Sequence, residues 1–277
     1  MQNSPVSGAP RSELNLWTIG SIAVVAYCLA NVLHEGLGHG GACLLMGGQP
    51  KSLNAIFFEY DQNTVSAFGR RIIAAGGSVI NLLTGGIAFA ALRFGRPRAD
   101  ALRYFLWLFS SVSLLMAFGY LLFSGVLGLG DWSIVFDRLA PSTVVRGGLI
   151  LVGGFLYCWA APQLLIPGLK NFLDRSQPLE PQVRRLARLP YFVGGITFIV
   201  AGLLNPYGYQ LVLMSAVAAS FGATSLLAWC KVPEGDPAPS PRNEPVTLNR
   251  HPGWIVAAAL TLVIFVGILG HGIFFRR

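Results

Sequence analysis

Apolar residues are gathered into long blocks along the chain, and polar or Pro-rich stretches separate these blocks. The blocks cover seven stretches: 16–46, 72–92, 102–127, 147–169, 191–204, 209–230 and 254–275. A helix of about 20 apolar residues can cross a hydrocarbon core of about 30 Å. The fifth block is short, and the turn-forming residues 205–208 join it to the sixth. The pattern therefore predicts an all-α polytopic membrane bundle of about six to seven transmembrane helices.

The polar stretches divide the chain into regions. These are a polar N-terminal tail (1–14), a membrane core (15–135), additional transmembrane helices (136–230), a Pro-rich polar loop (231–252) and a C-terminal transmembrane helix (253–277). Between the first two blocks, residues 55–58 and 64–68 have a strand-like composition and flank the turn-forming residues 61–63. We therefore predict a short surface β-hairpin after the first helix.

Composition supports the bilayer as the solvent of this chain. Charged residues make up 12% of it and hydrophobic residues 53%, whereas soluble domains carry about a quarter charged residues. The net charge of +8 comes from Arg and Lys residues that lie between apolar blocks, which argues against a nucleic-acid partner. Their excess on the N-terminal side predicts a cytoplasmic N-terminus. We expect an integral protein of a bacterial inner (cytoplasmic) membrane; its oligomeric state is not indicated.

The first apolar block contains the sequence HEGLGH at positions 34–39, an unusual group of polar residues for a membrane helix. Ionisable residues in such helices cost at least a few kcal/mol each and are functional candidates. Neutral imidazoles bind zinc, and a neighbouring carboxylate can accept a proton from water. In a regular helix, however, the five-residue spacing would separate His34 and His39 by about 140°. A metal site here therefore requires a π-bulge or a break, which the glycines would allow.

A catalytic zinc site also needs a third protein ligand. If the first three blocks cross the membrane in alternating directions, the end of the third returns to the side of His34 and His39. Asp131 follows that block, within Gly130-Asp131-Trp132. We expect Asp131 to be the third ligand, and His271 in the last block is the alternative.

With these residues the chain resembles the site-2 protease family of intramembrane zinc metalloproteases. The resemblance covers approximately residues 15–135, which we interpret as a metalloprotease-like core. The HEGLGH motif looks like the family's HExxH, the run AGGSVINLL at 75–83 looks like its Gly-Pro-x-x-Asn segment, and Asp131 stands where its Asp-Gly motif would be.

Three features differ from the family pattern. The histidine spacing is one residue longer, Ser78 replaces the proline, and Trp132 follows the aspartate in place of glycine. The HExxxH spacing is itself similar to that of the dipeptidyl peptidase III family of zinc peptidases.

The resemblance implies a zinc metalloprotease that cleaves transmembrane segments of membrane proteins. It implies that His34, His39 and Asp131 hold Zn²⁺ and that Glu35 is the general base. It also implies that Asn81 is a catalytic residue that binds the substrate backbone or the oxyanion. The alternative is a site-2-protease-like membrane protein without proteolysis, in which the metal is structural or the polar cluster acts in proton relay or transport.

Overall fold

The computed structural model describes residues 14–95, 97–233 and 247–275, which are mostly helical. Five helices are long and apolar enough to cross a membrane, and a short helix, α4 (Asp131–Val135), lies among them. The five are α1 (Leu16–Leu45), α2 (Ala67–Phe94), α3 (Asp100–Leu127), α5 (Ser142–Lys170) and α6 (Leu179–Leu203). They are followed by α7 (Val212–Gly222), α8 (Leu226–Trp229) and α9 (Pro252–Ile268).

The predicted membrane helix bundle is confirmed in its main feature, since these five apolar helices indicate an integral membrane protein. The last two predicted blocks correspond to shorter apolar helical stretches: Ser215–Trp229, which contains most of α7 and all of α8, and Pro252–Ile268, which is α9. The predicted tail 1–14, except for Leu14, lies outside the described residues, and so does most of the predicted loop 231–252.

Helix α6, which corresponds to the fifth apolar block, begins earlier than the apolar pattern indicates. We placed the fifth apolar block at 191–204, but α6 starts at Leu179, within a stretch rich in arginine. Leu179, Val183 and Leu186 are buried there. Because these residues are three or four positions apart, they form one apolar face of an amphipathic helix.

A β-hairpin lies between α1 and α2, as predicted, but other residues form it. Strands β1 (Gln49–Leu53) and β2 (Phe58–Asp61) pair in antiparallel orientation. In the turn between them, the Asn54 side chain accepts a hydrogen bond of 3.0 Å from the backbone N–H of Ile56. The predicted second strand, 64–68, instead leads into α2, because the Ser66 hydroxyl accepts a bond from the Gly69 N–H and caps that helix.

The last apolar block is only partly helical. We predicted a helix over 253–277, but α9 ends at Ile268 and the chain reverses direction at Gly272, where φ is +85°. A third strand, β3 (Ile273–Phe274), then pairs with β1 in antiparallel orientation. The sheet order is β2-β1-β3, so the end of the chain supports the hairpin.

The bundle core includes Ile22 and Tyr27 of α1 and Leu108 and Leu115 of α3, which are fully buried. Helix α2 packs along α3 and against the C-terminal part of α1. Because consecutive helices alternate in direction, the end of α1, the start of α2 and the segment after α3 meet at one end of the bundle. The sheet contacts α1 at this same end.

Candidate metal centre

The histidines lie on a segment of α1 that has π-helical geometry, Leu33–Gly40. In a π-helix the backbone bonds join residues five apart, so side chains at that spacing lie on nearly the same face. The ring centroids of His34 and His39 are accordingly 4.8 Å apart. The predicted distortion of the helix is confirmed, and it compensates for the extra residue in the motif.

Glycines allow α2 to approach this segment closely. A Cβ atom on Gly38 would lie 2.6 Å from the Cα of Gly77, and a Cβ on Gly76 would overlap the carbonyl oxygen of Gly38. At Gly77 a Cβ would lie 2.5 Å from His34 Nε2 and 2.7 Å from His39 Nε2. The two backbones are therefore in contact. The missing side chain at Gly77 leaves space beside both ring nitrogens.

Asp131 completes a group of three potential metal ligands. Its Oδ2 atom lies 3.5 Å from His34 Nε2 and 3.5 Å from His39 Nε2, and the two Nε2 atoms are 3.2 Å apart. Ligand atoms about 2.0–2.1 Å from a tetrahedral zinc ion lie roughly 3.3 Å from one another. The Oδ2 atom is buried without a hydrogen-bond partner among the described residues. The three residues therefore fit a tetrahedral metal ion.

Asp131 reaches the histidines because α3 ends abruptly. Gly128 adopts the left-handed conformation with φ of +71°, and Gly130 has φ of +85°, so the chain turns and α4 begins at Asp131. Burial alone would raise the pKa of Asp131, but positive charge on the adjacent imidazoles of His39 and His34 lowers it well below its usual range. Positive charge beside Oδ2 therefore favours the carboxylate form, which is the form that binds a metal ion.

The alternative ligand, His271, lies elsewhere. It follows α9, is exposed, and its Nδ1 atom is 3.1 Å from the carbonyl oxygen of Gly267. Among the described residues, the group of His, Cys, Asp and Glu side chains close enough to share a metal ion contains His34, His39 and Asp131. Asp131, which follows the third apolar block, thus lies with the two histidines as predicted.

Helix α2 contacts the far side of both imidazoles. His39 Nδ1 lies 2.7 Å from the carbonyl oxygen of Ile73, so the Nδ1–H group donates there and leaves the lone pair on Nε2. The Nδ1 atom of His34 lies 3.2 Å from the side-chain amide of Asn81, a fully buried residue. The sequence singled out Asn81, but as a substrate contact and not as a partner of His34.

A cavity of about 270 Å³ opens beside the ligand group. Glu35, His39 and Asp131 line it, together with Tyr120 of α3 and Phe58 of β2. The Glu35 carboxylate is buried beside this cavity. The cavity therefore brings a carboxylate, the ligand group and a strand of the sheet together.

Tyr120 is a residue of the site that was not predicted from the sequence. Its ring centroid lies 5.1 Å from that of His34, and it borders the same cavity. In the sequence, Tyr120 is a tyrosine in the last third of α3, eleven residues before Asp131. That signal is weak, because tyrosine is common in membrane helices near the interface.

Comparison of the chain with models of protein families, with curated proteins and with solved structures gives no match. The resemblance to site-2 proteases therefore depends on the sequence motifs, and the function has to be argued from the geometry of the site.

Proposed function

We propose that this protein is an intramembrane zinc endopeptidase that cleaves transmembrane segments of other membrane proteins. The observation that carries the proposal is the arrangement of His34, His39 and Asp131, whose ligand atoms are separated by 3.2 to 3.5 Å. Glu35 lines the cavity next to them. A ligand group with an adjacent carboxylate is the composition of a hydrolytic zinc site.

Two imidazole nitrogens and one carboxylate oxygen suit zinc better than calcium or magnesium, which prefer oxygen ligands. His34, His39 and Asp131 would hold the ion and leave a fourth position for water or substrate. When bound, zinc supplies a Lewis acid that polarises a peptide carbonyl and lowers the pKa of water.

Glu35 is the residue suited to proton transfer. It accepts a proton from the attacking water as the oxygen of that water bonds to the carbonyl carbon. It then gives the proton to the amine nitrogen as the C–N bond breaks. Glu35 is buried, and the apolar side chains of Phe58 and Ile73 line the same cavity, so its carboxylate lies in a partly apolar environment.

The proposed substrate is a membrane-embedded segment that unwinds locally. A helix satisfies its carbonyls with its own hydrogen bonds, so an intact helix offers no accessible peptide bond. The cavity of about 270 Å³ admits a few residues and excludes a folded domain. Its position at the end of the apolar helix α1 favours a substrate that is already in the bilayer.

The proposal can be tested with Glu35→Gln and a matched control, Glu180→Gln. Glu180 is an exposed glutamate on α6 that pairs with Arg188. The purified proteins would be incubated in lipid nanodiscs with zinc and a set of transmembrane peptides, and products would be identified by mass spectrometry. Glu35→Gln should reduce cleavage by about 10²- to 10⁴-fold, with the zinc content unchanged. The control should cleave like the wild type.

Cleavage at the wild-type rate by Glu35→Gln would contradict the proposal. A wild-type protein that binds one zinc ion but cleaves no peptide of the set would favour the alternative, a structural metal in a protein without protease activity.

A further inference from the structure

Asn81 of α2 has a position that the proposed reaction does not explain. It is fully buried, it does not line the cavity, and its side-chain amide lies 3.2 Å from His34 Nδ1. A residue that contacts substrate would have to border the cavity. We propose that Asn81 is a positioning residue that holds His34 in the tautomer protonated on Nδ1. The inference rests on the metal-binding part of the proposed function.

The tautomer of His34 decides whether it can bind a metal. A neutral imidazole carries one proton, and only its unprotonated nitrogen is a ligand. Nε2 is the nitrogen that faces His39 and Asp131, at 3.2 Å and 3.5 Å. The proton must therefore be on Nδ1, where it needs a hydrogen-bond acceptor.

The amide oxygen of Asn81 can be that acceptor. Rotation of the amide by about 180° exchanges its oxygen and nitrogen with almost no change in shape. With the nitrogen toward His34, the Oδ1 atom is buried without a hydrogen-bond partner among the described residues. With the oxygen toward His34, Oδ1 accepts a bond from Nδ1–H. Each orientation pairs one group of the amide, and only the second is compatible with a proton on His34 Nδ1.

The other histidine shows the same arrangement with a backbone group. His39 Nδ1 lies 2.7 Å from the carbonyl oxygen of Ile73, also on α2. Both imidazoles are thus oriented from behind by one helix, through a carbonyl in one case and a side chain in the other. The Ile73 carbonyl remains after any substitution, whereas the Asn81 contact can be removed and its effect measured.

The experiment combines histidine NMR with zinc titration of the full chain in detergent micelles. In ¹⁵N-histidine spectra, His34 of the wild type should be protonated on Nδ1 both with and without zinc. Asn81→Leu, which has a similar shape but no acceptor, should bind zinc about 10- to 100-fold more weakly. Asn81→Asp should restore most of the affinity, because its carboxylate can accept the same bond.

A matched control is Thr84→Val, which removes a hydroxyl on the same helix that donates to the Ile80 carbonyl. This variant should bind zinc like the wild type. The proposal would be overturned if His34 of the wild type carried its proton on Nε2, or if Asn81→Leu kept wild-type affinity. If Asn81→Leu failed to fold, the wild-type spectrum would still decide. If the wild type had no protease activity, the His34 tautomer and the zinc affinity would be unaffected. That result would count against the proposed reaction and not against the role of Asn81.

Discussion

Gly77→Ala should weaken metal binding, because the new methyl group would occupy the space beside both histidines. Its Cβ would lie 2.5 Å from His34 Nε2 and 2.7 Å from His39 Nε2. These distances are 0.9 Å and 0.7 Å shorter than 3.4 Å, where ordinary contact begins. The obstructing atoms belong to the rings themselves, so at least one imidazole or the α2 backbone must move.

The magnitude follows from the cost of overpacking. Forcing an extra carbon into a well-packed site costs about 1–3 kcal/mol. If the rings must return to their positions in order to bind the ion, this cost appears in the binding free energy. Since about 1.4 kcal/mol corresponds to a tenfold change, the zinc affinity should fall roughly 5- to 150-fold.

The assay is a zinc titration of the purified protein, with thermal unfolding measured in parallel. Gly86→Ala is the matched control, because Gly86 lies on the same helix and an added Cβ there meets no atom within 4 Å. The control should keep the zinc affinity of the wild type. Equal zinc affinities of Gly77→Ala and Gly86→Ala would refute this prediction, because the imidazole rings would then bind the ion from positions other than those in the structure.

Two further substitutions test other parts of the structure. Asp131→Asn should lower zinc affinity at least about tenfold in the same titration, since a neutral amide is a poor ligand; Asp137→Asn, at an exposed site nearby, should not, and an unaffected Asp131→Asn would place the third ligand elsewhere. Tyr207→Phe removes a hydroxyl that makes 2.6 Å hydrogen bonds to Glu59 Oε2 of β2 and to Ser52 Oγ of β1, and it should lower the free energy of unfolding by about 1 kcal/mol. Thermal or denaturant unfolding in detergent measures this change, with the exposed Tyr209→Phe as the control; equal stability of the two variants would show that these bonds contribute nothing.

The ligand group could be predicted from the sequence because independent signals agreed on it. Polar residues are costly in a membrane helix, so His34 and His39 stood out, and the alternating directions of three helices brought Asp131 to them. The helix distortion could be predicted only as a condition of a metal site, because the five-residue spacing requires it there. The position of Asn81 beside His34 could not be predicted, because a sequence does not show which atom its amide faces.

The sheet was harder to predict, because its strands have no clear alternating pattern. Strand β1, with the sequence QPKSL, is mostly polar, and it pairs with residues at the far end of the chain. Strand β3 ends an apolar block that reads as one continuous helix. Residues 269–272, which end with Gly272 at positive φ, separate the two, and glycine in an apolar block is common in membrane helices.

The extra residue between the histidines and the glycines opposite them are connected features. The π-helical segment Leu33–Gly40 is in close contact with α2. The two backbones touch at Gly38 and Gly77, and α2 places hydrogen-bonding groups beside the Nδ1 atoms of both imidazoles. A side chain at Gly77 would push α2 away and would also fill the space beside both Nε2 atoms. Helix packing and the ligand geometry therefore depend on the same glycine, and the unusual histidine spacing is compatible with a metal centre.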